Sequence, residues 1–139
     1  MSILLWVLQT LLAVAFFAHG VLFLNPPAEM VEQMNASIPP ALRFFIGVAE
    51  VSAAIGLTLP GITRIQPRLV SGAAAGLMMV MVSATILHTV RGEVSSAATT
   101  AVLLALATFV AYMRWKVKPI APRTAAAPLP GASHVHGRR

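Results

Sequence analysis

The sequence contains no cysteine, so it can form no disulfide, no CxxC redox centre and no thiolate metal site. Any redox role would depend on a bound cofactor or a partner. Charge is also scarce: 10% of the residues are Asp, Glu, Lys or Arg, against roughly a quarter in soluble globular domains. There is no Ser-His-Asp pattern, P-loop, dinucleotide fingerprint or zincin motif. Neither a nucleotide cofactor nor a local catalytic motif is indicated.

The chain is instead mostly hydrocarbon. Over 139 residues, 58% are hydrophobic and the mean hydropathy is +0.82. This length allows one domain, and the apolar residues fall in blocks long enough to cross a bilayer. The expected fold is all-α: a membrane protein built as a four-transmembrane-helix bundle. The net charge of +6 does not point to nucleic acid, because most basic residues flank apolar blocks or lie in the C-terminal segment. There they act as topology signals and contacts for anionic headgroups.

The first block, Ile3 to Leu24, gives roughly 33 Å of helix, enough to span. A secretory signal peptide is the rival reading. It is disfavoured because no cationic side chain precedes the block and no convincing small-x-small cleavage site follows it. Asn25-Pro26-Pro27 stops this helix, with Asn25 expected to cap the next. Met30, Val31 and Met34 then fall opposite Glu29, Glu32 and Gln33, the pattern of a short amphipathic helix at the membrane surface, with an irregular loop as the alternative.

Pro39-Pro40 introduces a second span, Leu42 to Leu59, which Pro60-Gly61 is expected to close. Pro67 starts a third, Leu69 to Val90, and the short Arg91-Gly92-Glu93 turn leads into a fourth, about Ser95 to Met113. So short a connection makes the third and fourth helices antiparallel neighbours. From Arg114 onward the chain is first basic and then rich in Ala and Pro, which predicts a disordered tail. The division is a transmembrane domain over 1–113 and a tail over 114–139.

Arg64, Arg68, Arg114, Lys116, Lys118, Arg123, Arg138 and Arg139 lie on the side of the N-terminus, whereas Arg43 and Arg91 lie on the other with Glu29, Glu32 and Glu93. The positive-inside rule therefore predicts a multi-pass protein of the inner membrane with both termini cytoplasmic. Trp6, Tyr112 and Trp115 fall near that inner face, where amphipathic rings are favoured.

Against this background one residue stands out. Glu50 is a carboxylate near the middle of the second span, and an ionisable group inside a membrane helix is a functional suspect. Counting helical rise puts Glu50 about 12 Å, His19 about 7 Å and His88 about 4 Å below the outer ends of their helices. The expected polar site is Glu50 with His19 and His88, and with Arg43 at its outer mouth. Such a site could hold a proton, bind a headgroup or hydrogen-bond a quinone carbonyl. The bland alternatives are a structural hydrogen bond for Glu50 and snorkelling or capping roles for the two histidines. Gln9 is read as interhelical glue.

Two His and one Glu resemble metal ligands by type, but they come from three helices with no local motif, and no metal is assigned. His134 and His136, on the tail, are too weak a pair to bind one. Gly47 and Gly56 form a small-residue face beside Glu50, and Gly72 and Gly76 form one on the third span. Faces of this kind let neighbouring backbones approach. That on the third span is expected to serve packing within the chain, with a homo-oligomer as the alternative.

Several short stretches carry a family resemblance. They are His19-Gly20, Gly47-Val48-Ala49-Glu50 followed by Ile55-Gly56-Leu57, Pro60-Gly61 with Arg64 nearby, and the His88 end of the third span. Over about residues 1–113 the sequence resembles the DoxX and DoxX-like family of small bacterial membrane proteins. The resemblance implies a four-helix membrane bundle, with Glu50 and the His19-Gly20 pair as the positions carried over. It implies functions ranging from a subunit of a thiosulfate:quinone oxidoreductase to membrane partners of redox-defence proteins. The missing cysteine argues against a sulfur relay in this chain.

The expected function is a small or accessory subunit of a quinone-linked membrane redox system, with the lipid bilayer and a membrane or soluble redox protein as partners. A non-enzymatic scaffold or assembly factor is the alternative, and a small proton-coupled transporter a third.

Overall fold

Apolar side chains on every side of each long run leave the backbone to satisfy itself, and a helix is one of the two ways hydrocarbon permits this. In the computed structural model, which describes residues 2–123, the chain forms α1 (Ser2–Leu24), α2 (Ala28–Ser37), α3 (Pro40–Thr63), α4 (Arg68–Val90) and α5 (Val94–Tyr112). A π-helical turn, Met113–Val117, prolongs α5. There is no strand among the described residues. Four helices, all but α2, are long and apolar enough to cross a membrane.

The four long helices alternate in direction. α1 packs on α3, α3 on α4 and α4 on α5, while α1 and α5 meet along a thinner seam. The shared core includes Leu12, Phe16, Leu57, Val70, Leu77 and Val110. Large apolar side chains such as Phe44, Phe45, Ile62, Met79 and Val90 point outward instead, as lipid-facing residues must. Hydroxyls inside the spans bond to their own helix: those of Thr58, Thr85 and Thr108 donate to carbonyls four residues back. The Thr85 and Thr100 hydroxyl oxygens are also 3.0 Å apart, within hydrogen-bond distance, joining α4 to α5.

One end of the bundle, the α2 end, carries α2 and the α4–α5 turn. The other, the tail end, carries the start of α1, the α3–α4 corner and the π turn. The segment after α1 is a helix rather than a loop, and it buries no residue. Asn25 does not cap it. Its amide still bonds to the Val21 carbonyl of α1, and α2 starts after Pro27. Arg91 donates to the Ser37 carbonyl at 2.5 Å and ties α2 to the α4–α5 turn.

Two spans run further than their sequence limits. Pro60 lies inside α3, which continues to Thr63 and ends at Arg64 in a left-handed conformation, φ 58°. A proline so near a helix end costs only one donor, and the helix absorbs it. The fourth span likewise passes Met113, because no breaker precedes Pro119. Residues 118–123 then return across the tail end, where the Arg123 amide bonds to the Arg64 carbonyl at 3.1 Å. The expected disordered tail thus begins with ten residues that are described here, and residues 124–139, with His134 and His136, lie outside the described residues.

The glycines divide into two groups. A Cβ at Gly20 would sit 2.9 Å from the Gly47 carbonyl oxygen, and one at Gly47 would sit 3.0 Å from the Gly20 oxygen. A Cβ at Gly56 would press on Ala73 of α4 at 2.8 Å. Gly72 and Gly76 differ from expectation, since a Cβ at either meets open space. α4 packs inward through Ala74, Leu77 and Met81, which turns both glycines away from its neighbours.

Candidate functional site

The site begins with the close crossing of α1 and α3. With no side chain at Gly20 or Gly47, the two backbones come near enough for the preceding residue, His19, to reach Glu50. His19 Nδ1 and Glu50 Oε2 are 2.6 Å apart. The carboxylate is 1% exposed, while the imidazole is 49% exposed on the outside of the bundle. A hydrogen bond this short requires one proton between the two groups, with the other ring nitrogen left to donate or accept elsewhere.

The His19 ring also rests against Phe23, with ring centroids 4.3 Å apart. Arg43 reaches the same turn of α1 from α3 and donates to the Phe23 carbonyl at 2.7 Å. That carbonyl belongs to the last turn of α1, where acceptors have no partner within the helix. Arg43 Nε is buried with no hydrogen-bond partner among the described residues. Arg43 therefore stands about 10 Å along α3 from Glu50, linked to it through Phe23 and His19 rather than by a direct bond.

His88 is not part of this group. Its Nδ1 bonds to Glu93, across the turn from α4 to α5. The physical reason is local: the turn returns the chain within five residues and supplies a carboxylate at once, whereas Glu50 lies on the face of α3 that meets α1. Of the four expected residues, the structure brings two into a direct bond, sets Arg43 beside them and leaves His88 elsewhere. Among the described residues no group of three His, Cys, Asp or Glu could hold a metal ion.

A second polar cluster, at the tail end, was not anticipated as a unit. Gln9 of α1 is 0% exposed, and its amide donates to the Leu57 carbonyl of α3. Its oxygen accepts from Arg114 Nε at 2.9 Å. The guanidinium also lies over the Trp6 ring, 4.9 Å from its centroid. Arg114 is 6% exposed although it lies just past Met113, the expected end of the fourth span. The available signal was the lack of a breaker between Met113 and Pro119, which carries Arg114 into helix opposite the start of α1.

Neither a curated protein nor a solved structure matches the chain. The sequence model of the DoxX-like family matches residues 7–110, well over half of the chain, and this range includes the α1–α3 crossing and all four candidate residues. Together with the four membrane-length apolar helices, this identifies the chain as a multi-pass integral membrane protein that belongs to the DoxX-like family.

Proposed function

We propose that this protein is a small accessory subunit of a quinone-linked redox system in the inner membrane, and that the His19–Glu50 pair is where it touches the quinone headgroup. The observation that carries this reading is a fully buried carboxylate bonded at 2.6 Å to a half-exposed imidazole. Packing alone does not require that asymmetry. A structural hydrogen bond would be served by two buried neutral groups, whereas here the acid is sealed and the imidazole faces outward.

In this reading Glu50 fixes the orientation and the protonation of Nδ1. As an imidazolium the ring donates through Nδ1 to the Glu50 carboxylate and through its other nitrogen to a quinone carbonyl, and the proton on that second nitrogen is the one lent or taken back as electron transfer proceeds. A quinone supplies two-electron chemistry that no side chain of this chain provides, and the electrons come from a partner protein. Phe23, packed at a tilt against His19, gives the quinone ring an apolar neighbour. The basic residues of the tail end hold both termini in the cytoplasm.

The test is quinone reduction by membranes containing the protein and its co-purified partner. Glu50→Gln and His19→Phe should each lower the rate by about tenfold or more, the scale of a positioned proton-transfer group, with the partner still bound. Unchanged rates in both variants would overturn the proposal and leave a scaffold role.

A further inference from the structure

The tail end holds a buried cation with no countercharge among the described residues. Arg114 uses Nε on Gln9 and its flat face on Trp6. One terminal nitrogen, Nη2, is buried with no hydrogen-bond partner among the described residues. An unpaired charge held away from water is costly, and folded proteins retain one only with compensation. The four acidic residues of the sequence are elsewhere: Glu29 and Glu32 on α2, Glu93 in the α4–α5 turn, and Glu50 against His19. No acidic side chain of this protein can neutralise Arg114.

Arg114 lines a cavity of about 390 Å³, and two further cations, Arg64 and Lys118, line it as well. Its remaining wall includes Trp6, Gly61 and Ile62, the last an exposed apolar side chain. The cation set is built rather than incidental. Gln9, held by the Leu57 carbonyl, fixes the guanidinium, and the π turn brings Lys118 round to the α3–α4 corner where Arg64 sits.

The geometry points to a binding site for a phosphate-class oxyanion at the tail end, with Arg114 as its fixed buried donor and Arg64 and Lys118 as its outer cations. A guanidinium presents paired N–H groups to such an anion, and lysine adds a point charge. The volume and the apolar rim suit the headgroup of an anionic phospholipid, while free phosphate offers the same chemistry. This site is separate from the His19–Glu50 pair and does not depend on the quinone reading.

Native mass spectrometry of the full chain, released from membranes supplied with equal amounts of phosphatidylglycerol and phosphatidylcholine, tests it. The wild-type protein should retain phosphatidylglycerol. The double variant Arg64→Gln/Lys118→Gln, exposed positions that leave the Gln9 bond intact, should retain about tenfold less, as expected for losing two interfacial cations. Arg114→Lys, which keeps the charge but loses the fixed fork, should also retain less. Arg68→Gln, at the same end but not on the cavity, should match wild type.

A second arm measures thermal stability in phosphatidylcholine nanodiscs with and without millimolar inorganic phosphate. Stabilisation there, lost in the double variant, would assign the site to the free anion instead of the lipid. No preference for either anion, or equal loss with Arg68→Gln, would overturn the proposal and leave only diffuse surface charge.

Discussion

The two polar clusters answer the same problem in opposite ways. At the α1–α3 crossing a buried acid meets a base from the neighbouring helix, and the pair is closed on one side and open on the other. At the tail end a buried base meets an amide oxygen and an aromatic face, with no acidic side chain among the described residues paired to it. The first arrangement is complete as a proton-sharing unit; the second fixes a guanidinium whose Nη2 has no partner among the described residues. The difference shows why a single measure such as burial does not rank candidate sites. What matters is which hydrogen-bonding groups remain unmatched, and where they face.

The strongest way to break the comparison is to prevent the crossing from forming. Gly47→Val would drive a branched side chain against the Gly20 carbonyl and Leu24. It should destabilise the protein by about 3 kcal/mol and separate His19 from Glu50. Gly72→Ala and Gly76→Ala, where a Cβ meets open space, should stay within about 0.5 kcal/mol. Thermal unfolding in detergent distinguishes them, and equal losses would mean that the α1–α3 crossing is no more closely packed than the outer face of α4.

A smaller effect is expected at the tail end. Gln9→Leu removes the acceptor of Arg114 and the donor to Leu57, and should cost about 2 kcal/mol. Combining it with Arg114→Leu should cost less than the sum of the two single changes, because each change alone orphans its partner. Additive losses would show that the two side chains do not act as a unit.

The smallest effect sharpens the difference between buried and exposed pairs. His88 and Glu93 pair at the rim, with side chains 27% and 44% exposed. Glu93→Gln should change stability by less than about 0.5 kcal/mol, as exposed ion pairs usually do. His19→Phe, which leaves a buried carboxylate without its partner, should cost about 2 kcal/mol. A larger loss from Glu93→Gln than from His19→Phe would reverse the assignment of the two histidines.

Much of the architecture was legible because hydropathy reports membrane spans directly. Alternation of direction follows from short connections, and the amphipathic pattern after Leu24 matches a helix that buries nothing. Other features depended on which way a residue faces. Helical rise gives the depth of His88 but not its azimuth, so depth alone could not reveal its bond to Glu93. The Gly72 and Gly76 spacing looked as favourable for packing as that of Gly47, yet only the latter meets a neighbour. In the sequence Arg114 has the form of a topology signal, because a cation after a span usually is one. Its burial depends on helix continuing through the π turn, a tertiary outcome that local propensity does not encode.

The central claim is that the acid within α3 is matched by an imidazole from α1 whose other nitrogen remains free for a ligand. Solid-state NMR of the bilayer-reconstituted protein, with carbon-labelled Glu and nitrogen-labelled His, measures this directly. The Glu50 carboxyl carbon should lie about 3.5 Å from His19 Nδ1, as a short hydrogen bond requires, and added quinone should shift the Nε2 signal while leaving that distance intact. A carboxyl carbon with no nearby imidazole nitrogen, or a His19 signal indifferent to quinone, would contradict the account.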